Sequence, residues 1–370
     1  MIEILTSGDS HGDALFGILS GFPAGFEVDV ERINHELLKR QGGYGRGKRM
    51  KLEYDRVEIS SGLWNGKTTG APITFVVKNR AKDSAKNPRY VPRPGHADYS
   101  AWKKFGLDDL NIYAERSSAR STAMLVAIGG FFKQFLEKFN IFIEGFVRSI
   151  GPFEVNNLNF KDMNKLIELR DKSEVYCPDL KLTQKMKELI DQTKENGDTL
   201  GGSFVIVAKN VPAGLGNYSQ FTGRLDSKLA MELMGIPSIK GVLIGDILET
   251  HRSFGSESHD EFKIQDEKIT RATNKAGGIE GGISNGEDII VTALVKPIPT
   301  LSKGLKSVNL KKFIEQEAPY VRSDVVVVPA AMVVGESVVS KVIACELIER
   351  YGGDNFEVMY ERWKMDVKNS

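Results

Sequence analysis

The stretch ERSSARSTAMLVAIGGFFKQFLEKFN, residues 115–140, predicts one long helix. Ser117 and Ser118 stand where an N-cap is expected, since a serine hydroxyl can accept a hydrogen bond from the unpaired amides of a first helical turn. Arg116 and Arg120 flank these serines. A helix N-terminus with cations beside it can bind an anion, although ordinary capping explains the serines just as well. The stretch therefore predicts a structural helix whose first turn is a candidate anion site.

Upstream of this helix lies the strongest local concentration of positive charge in the chain. The segment RQGGYGRGKRMK, residues 40–51, places Arg40, Arg46 and Arg49 among four glycines and contains no acidic residue. Glycines let the backbone approach a ligand, and guanidinium groups pair with phosphate or carboxylate oxygens. The segment predicts an anion site. A solvated flexible loop is the alternative, and a nucleic-acid contact is weaker still because Tyr44 is its single aromatic residue.

Histidine is scarce, with five in 370 residues, and two of them stand in loop motifs. His11 lies in the motif GDSHG and His96 in the motif RPGHAD, whose backbone is stiffened by prolines. Loops carry binding and catalytic groups more often than packed elements do, so both residues are candidates for a site. His35 falls inside the helix VERINHELLKRQ, which Asp29 caps, and is expected to be a surface residue.

The rest of the chain alternates predicted strands and helices without a recognisable linker. Asn65 and Gly66 form the turn signal of a hairpin in VEISSGLWNGKTTGAPITFVVKNR. TQKMKELIDQTKENG and SKLAMELMGI predict helices, while KGVLIGD and IIVTALVKPIPT predict strands. Neither of two glycine-rich stretches holds a G-x-G-x-x-G motif between a strand and a helix, which excludes a Rossmann nucleotide-binding fold.

Composition narrows the class of protein. Apolar residues make up 41% of the chain, charged residues 27%, and the net charge is +1, which is typical of a globular protein and not of a nucleic-acid binder with a uniform positive field. Cys177 and Cys345 lie far apart and near no histidine, so neither a disulfide framework nor a metal site is predicted, and a cytoplasmic location fits best.

Membrane association is not predicted. The apolar stretch SDVVVVPAAMVVGESVV is interrupted by Pro329, Gly335 and Glu336 before it could cross a bilayer. The N-terminal residues lack a basic region followed by an apolar one, so no signal peptide is expected.

Nine short motifs then occur in one order along the chain: GDSHG, RQGGYGRGKRM, RPGHAD, RSSAR, GDTLGG, VPAGLG, GGISNGEDI, KPIPT and RSD. By these motifs the sequence resembles the chorismate synthase family over essentially its whole length. The resemblance implies an α+β fold in which helices pack between antiparallel sheets, within a single domain spanning residues 1–370. It also implies a homotetramer.

The activity implied by the resemblance is that of a lyase, which converts 5-enolpyruvylshikimate 3-phosphate to chorismate and phosphate by a 1,4-anti elimination. Reduced FMN is implied as the required cofactor, although no net redox change occurs. Some family members reduce the flavin with NADPH, and the sequence leaves this open because it holds no separate nicotinamide fingerprint. The substrate is strongly anionic, and Arg40, Arg46 and Arg49 fit its binding.

The resemblance also implies roles for single residues. His11 would protonate or hydrogen-bond the departing phosphate. His96 would stabilise the reduced flavin near its N1, and Asp324 would help the flavin N5 take the substrate proton. The flavin is expected to be held by a larger set of residues: Arg116, Ser117, Ser118, Pro237, Ser238, Gly281, Lys296, Pro297, Ile298, Pro299, Thr300 and Arg322.

The sequence departs from the family pattern at a few positions: Asp9, Ala114, Glu115, Ser121, Ser323 and Val325. These departures keep a second hypothesis open, a flavin-binding or phosphate-binding regulatory protein without turnover. The retention of His11, His96 and Asp324 argues against lost catalysis. Phosphate release under anaerobic, reducing conditions separates the two hypotheses.

Overall fold

The computed structural model describes residues 2–46, 54–80, 87–156, 158–265, 268–320 and 323–368. Two residues predicted for the site, Arg49 and Arg322, lie outside these ranges.

The strands are β1 (Glu3–Ser7), β2 (Ala14–Ser20), β3 (Val57–Ser61), β4 (Leu63–Trp64), β5 (Lys67–Thr68), β6 (Ile73–Lys78), β7 (Phe142–Ile150), β8 (Phe153–Glu154), β9 (Gly202–Lys209), β10 (Ile239–Ile244), β11 (Phe262–Gln265), β12 (Lys268–Arg271), β13 (Ile279–Glu280), β14 (Ile283–Ser284), β15 (Ile289–Val295), β16 (Lys306–Asn309) and β17 (Ile314–Glu317). The helices are α1 (Val30–Gln41), α2 (Asp98–Phe105), α3 (Leu110–Ser117), α4 (Thr122–Glu137), α5 (Met163–Asp171), α6 (Leu180–Glu195), α7 (Leu225–Met234), α8 (Ile247–Thr250), α9 (Gly255–Ser258), α10 (Val328–Tyr351) and α11 (Phe356–Lys368). Short 3-10 turns lie at Ala119–Ser121, Phe160–Asp162 and Phe221–Gly223.

Two antiparallel sheets form the outer layers. The first has the order β1-β2-β6-β3 and the second the order β10-β15-β9-β7-β8. In β6, Ile73, Phe75 and Val77 are buried while the residues between them are partly exposed, so one face of the first sheet packs inward. Strand β9 is buried along nearly its whole length because α5 packs on the outer face of the second sheet through Met163 and Leu166.

Helices α4 and α10 lie between the sheets, with α4 against the first and α10 against the second. They cross at Gly129, where an added Cβ would lie 2.2 Å from the Ser337 Cβ. In the same way, a Cβ on Gly335 would lie 2.5 Å from the Phe204 ring of β9. The predicted α+β fold, with helices between antiparallel sheets, is confirmed.

A buried carboxylate joins these layers. Glu336 of α10 accepts hydrogen bonds from Lys39 Nζ at 2.9 Å, from Lys133 Nζ at 2.7 Å and from the Gly145 amide at 2.6 Å. Burial acts to raise the pKa of Glu336, but Lys133, Lys39 and Arg170 together hold it below its usual range. The carboxylate thus ties α10 to α1, α4 and β7.

The helix predicted within residues 115–140 is present as α4, and Ser118 lies outside its start as expected of a cap, but residues 115–117 belong to a separate helix. Helix α3 ends at Ser117, a 3-10 turn follows, and α4 begins at Thr122. The chain leaves the helical conformation at Ser118, whose ψ is 140°, and the Ser118 hydroxyl accepts a hydrogen bond from the Arg120 amide. Ser118 therefore caps the short turn instead of the long helix. The break exposes the Ala119 carbonyl to a partner from α1.

Candidate active site

The loop between β1 and β2 carries His11. Gly8 turns the chain there with a φ of +104°, and a Cβ on it would lie 2.4 Å from the Ala14 carbonyl oxygen, so only glycine fits. The Asn79 side-chain amide donates to the Gly12 carbonyl at 2.8 Å. The His11 backbone is thereby held against the end of β6.

Glu115 contacts this loop from α3. Its Oε1 lies 2.7 Å from His11 Nδ1, and its Oε2 accepts the His11 backbone N–H at 2.8 Å. Ser10 donates its amide to the Glu115 carbonyl at 3.2 Å and its hydroxyl to Ser118 Oγ at 3.1 Å. Sequence reasoning named Glu115 only as a departure from a pattern. No local signal reveals its partner, because 104 residues separate the two.

At the predicted anion site, the side chains of Arg116 and Ser117 already have hydrogen-bond partners within the protein. Arg116 donates to the main chain of β1, and the Ser117 hydroxyl donates to a carbonyl of its own helix. Arg120 is buried and donates to Asp55 Oδ1 at 2.6 Å, so its guanidinium already has a carboxylate partner. The anion contact expected of Arg120 stays a prediction.

Arg40 lies in the last turn of α1 and is buried, not in a loop. Its Nε donates to Thr122 Oγ1 at 3.0 Å and its Nη2 to the Ala119 carbonyl at 2.8 Å. Its Nη1 is buried and has no hydrogen-bond partner among the described residues, the Asp55 carboxylate being 3.6 Å away. Burial lowers the pKa of Arg40 to about 10, although Asp55 acts in the opposite direction. The side chain stays charged at neutral pH.

Arg46 pairs with Asp324, whose Oδ2 lies 2.7 Å from Arg46 Nη1. The Val325 amide donates to the Gly45 carbonyl at 3.1 Å, which fixes the two backbones side by side. Arg46 Nε is buried without a hydrogen-bond partner in the described part of the chain. The structure therefore brings two predicted residues, one basic and one acidic, into direct contact. Arg49 lies outside the described residues.

His96 stands next to a buried carboxylate. Its Nδ1 lies 2.7 Å from Asp98 Oδ1, and the Asp98 side chain is fully buried. Asp98 also accepts from Arg89 Nη1 at 2.5 Å and from Arg93 Nε at 2.9 Å. The motif RPGHAD contains both the histidine and the aspartate, so this pair, unlike His11 and Glu115, has a local sequence signal.

The segment 296–300 meets the His96 loop. Lys296 Nζ donates to the Gly95 carbonyl at 2.8 Å, and the Lys296 amide donates to the Ser238 carbonyl at 2.8 Å. The Thr300 carbonyl accepts from Ser323 Oγ at 3.0 Å. Burial lowers the pKa of Lys296, and the neighbouring charge of Lys240 acts in the same direction. Residues of three separate motifs, KPIPT, RPGHAD and RSD, are thus adjacent, together with the predicted Ser238.

The rest of this segment is held through its backbone. The Ile298 carbonyl accepts from the Thr199 hydroxyl at 2.7 Å. Pro297 lies against Gly201 and Pro299 against Gly95, close enough that a side chain on either glycine would contact the proline ring. Pro237 directly precedes Ser238, which has a φ of +74°.

Gly281 lies in a separate turn, and its part in the site stays a prediction. It lies in the turn between β13 and β14, beside the start of β15, whereas Lys296 follows the end of that strand. Strand β15, of seven residues, separates the two positions along the chain.

A series of contacts connects the two halves of the site. Arg40 reaches the turn that follows Ser118, and the charges of Arg46 and Asp324 act on it. Ser323, next to Asp324, donates a hydrogen bond to the Thr300 carbonyl, and the Thr300 hydroxyl accepts one from Arg93 of the His96 loop. The arrangement places guanidinium groups with unused donors among an imidazole, a carboxylate and a lysine. It suits an anionic ligand and proton exchange.

A large cavity lies outside this site. A cavity of about 760 Å³ on the opposite side of α1 is lined by residues such as His35, Lys39 and Tyr176, and by none of the predicted site residues. Across the described ranges, no cluster of metal-ligating side chains occurs, and no helix combines the length and apolar character that a membrane span requires.

Comparison with known proteins identifies the family. The family model for chorismate synthase matches residues 2–348. The chain is 48% identical over 363 residues to a chorismate synthase of Thermotoga maritima, with 98% of this chain and 96% of the relative covered. It is 44% identical over 384 residues to that of Aquifex aeolicus, with 98% and 96% covered. A crystal structure of chorismate synthase matches with a TM-score of 0.83 and 38% identity, covering 100% of this chain and 98% of that one. The chain belongs to the chorismate synthase family of enzymes.

Proposed function

We propose that the chain converts 5-enolpyruvylshikimate 3-phosphate to chorismate and phosphate by a 1,4-anti elimination, with reduced FMN as its required cofactor. Family membership supports the lyase reaction. The observation that carries the proposal is the pair of buried guanidinium nitrogens, Arg40 Nη1 and Arg46 Nε, that have no hydrogen-bond partner among the described residues. Buried guanidinium donors of this kind favour an anionic ligand as their hydrogen-bond acceptor.

The energetics favour a bound anion at these arginines. A buried polar group without a partner costs about 1–3 kcal/mol, and more when it is charged. An anionic substrate that accepts hydrogen bonds from Arg40 and Arg46 recovers this cost. Arg49 belongs to the same basic segment and is proposed as a third ligand of the substrate.

His11 is proposed to act on the leaving phosphate. The Glu115 carboxylate accepts a hydrogen bond from His11 Nδ1, so the imidazole is held in one orientation. Nε2 is then the nitrogen that would exchange a proton with a phosphate oxygen. The ring is 30% exposed, which leaves it accessible to a ligand.

The residues on the other side of the site fit a flavin. Lys296, with Lys240 near enough to affect its pKa, offers positive charge for a phosphate group, and the backbone of Pro237 to Ser238 and of residues 296–300 runs beside it. Bound reduced FMN supplies electron density to the reacting substrate without net oxidation. His96 would stabilise negative charge beside the flavin N1, and Asp324 would assist proton removal near N5.

The remaining expectations about the flavin rest on the resemblance. We infer that Arg116, Ser117, Ser118 and Arg322 contribute to its binding, together with Gly281. We also infer a homotetramer and a cytoplasmic location. Light scattering on the purified protein measures the first of these, and a stable dimer or monomer would contradict it.

The decisive experiment is phosphate release from 5-enolpyruvylshikimate 3-phosphate under anaerobic conditions. With chemically reduced FMN we expect stoichiometric phosphate and chorismate. Oxidised FMN under the same conditions is the control and should give neither product. NADPH as sole reductant decides whether the chain reduces its own flavin. Tight FMN binding without phosphate release would contradict the proposal and favour a regulatory protein.

A further inference from the structure

Glu115 makes three hydrogen bonds to one short loop. Its Oε1 and Oε2 accept from the ring and from the amide of His11, at 2.7 and 2.8 Å. Its backbone carbonyl accepts from the Ser10 amide at 3.2 Å. Because ring and main chain are bound by the same carboxylate, the side-chain rotation of His11 is restricted as well as its position.

The bond to Nδ1 determines which nitrogen carries the hydrogen. An ionised carboxylate can only accept, so Nδ1 must hold a hydrogen in both the neutral and the charged ring. Nε2 is then the nitrogen whose protonation changes. This is the same logic by which a buried aspartate fixes the tautomer of a catalytic histidine in serine proteases.

Glu115 and Asp98 differ in the cationic side chains that contact their carboxylates. Asp98 is bound by two arginines besides His96. Glu115 forms an ion pair with His11 alone in the part of the chain that the structure describes. Neutralising Glu115 should therefore affect His11 directly, with no arginine network to disturb.

We propose that Glu115 is a positioning residue for His11. It holds the imidazole with hydrogen on Nδ1, so that Nε2 exchanges the proton with the leaving phosphate. The assignment rests on the role proposed above for His11. It gives a function to a side chain that differs from the family pattern.

The test uses the isosteric variant Glu115→Gln and the truncated variant Glu115→Ala, with Glu154→Gln as the matched control. Glu154 pairs with Arg148 on the surface and is outside the site. In the anaerobic assay we expect both Glu115 variants to lower kcat by about tenfold to a hundredfold, the scale found for partners that orient metal-binding histidines, with KM changed much less. Acetate or formate added to Glu115→Ala should restore part of kcat, which a merely structural defect would not allow.

A second readout does not depend on turnover. Nitrogen-15 labelling of the five histidines, with His11→Ala to assign the signal, reports the tautomer of the neutral His11 ring. We expect hydrogen on Nδ1 in the wild type and a shift toward the Nε2–H form in Glu115→Ala. Far-UV circular dichroism establishes that each variant is folded.

The outcomes separate the two hypotheses. Unchanged ring-nitrogen signals in Glu115→Ala overturn the positioning role, whatever happens to activity. An unchanged kcat in both folded Glu115 variants overturns it as well. Full activity of His11→Ala contradicts instead the role proposed for His11, while the nitrogen signals still decide whether Glu115 sets its tautomer.

Discussion

Two histidines of the site each lie 2.7 Å through Nδ1 from a carboxylate, yet the carboxylates are not equivalent. Burial acts to raise the pKa of Asp98, but hydrogen bonds from His96, Arg89 and Arg93 hold it well below its usual range. Asp98 therefore stays ionised throughout the working pH range and fixes the His96 loop. Glu115 is partly exposed, and among the described residues His11 is the one cation with which its carboxylate forms an ion pair.

Removing either imidazole should be costly. We expect His11→Ala and His96→Ala each to lower turnover by about a hundredfold or more, the scale for loss of a positioned acid or base. His35→Ala is the control, because His35 lies on the exposed face of α1, away from the described site contacts. The measurement is the initial rate of anaerobic phosphate release with reduced FMN. Near-normal rates for both site variants would contradict their assigned roles.

Arg46 offers a test of substrate binding. We expect Arg46→Gln to raise KM by about tenfold to a hundredfold, because a charge-assisted hydrogen bond contributes roughly 1.5–3 kcal/mol. Arg32→Gln removes a comparable ion pair, with Glu137, on the surface and should leave KM unchanged. Initial rates over a range of substrate concentrations measure both. An unchanged KM in Arg46→Gln would show that the substrate does not use this guanidinium.

Sequence patterns located the basic residues of these contacts and the resemblance named Asp324, but neither paired the acidic side chains with their basic partners. Glycines around Arg46 and the absence of nearby acids marked an anion site. Its partner Asp324 is almost 300 residues away, and Glu115 is 104 residues from His11, so no spacing rule could pair them. Only Asp98, two residues after His96, was within reach of local reasoning.

At the scale of elements, prediction succeeded where the signal is local. Asp29 caps α1 by accepting from the Glu31 and Arg32 amides, as its position before the apolar pattern implies. Asn65 and Gly66 have positive φ at the turn between β4 and β5. The separate helix α3 before Ser118 was not predicted, and the contacts that hold this boundary, from Ser10 and from α1, come from distant segments.

The ion pairs of Glu336 with Lys39 and Lys133 make the packing of α1, α4 and α10 dependent on pH. The pKa of Glu336 is lower in the folded state than in the unfolded chain, so the unfolded state binds the extra proton first on acidification. Its stabilising contribution is complete above the unfolded pKa of about 4.5 and is lost as the pH falls toward the folded value. Stability should therefore decline in this acidic window.

Replacing Glu336 tests the direction of this dependence of stability on pH. At pH 7 we expect Glu336→Gln to lower the free energy of unfolding by roughly 3–5 kcal/mol, because Lys133 and Lys39 stay buried with one counter-charge fewer. Urea unfolding at pH 7 and near pH 4 should show the difference from wild type shrinking in acid. Glu168→Gln, an exposed carboxylate of α5, is the control. A difference that is equal at both pH values would contradict the assignment.

At the scale of the whole molecule, the site depends on both sheets at once. His11 follows a strand of the first sheet, and Lys296 follows a strand of the second. Arg40 lies at the end of α1, and Asp324 lies just before α10, one of the helices packed between the two sheets. A single hydrophobic cluster includes side chains from both sheets and from α4 and α10. This continuity supports the prediction that residues 1–370 form a single domain.

Such a domain should unfold as one unit. Hydrogen exchange followed by mass spectrometry should give the same opening free energy for the most protected amides of β6 and of β9, one from each sheet. Gly129→Val forces a side chain into the α4–α10 crossing and should lower both values together by about 1–3 kcal/mol, the cost of overpacking a core. Gly255→Ala, whose Cβ would meet nothing closer than 3.8 Å, should leave both unchanged. Loss of protection in one sheet while the other keeps its own would show that the two sheets belong to separate domains, because a common helical core cannot open on one side alone.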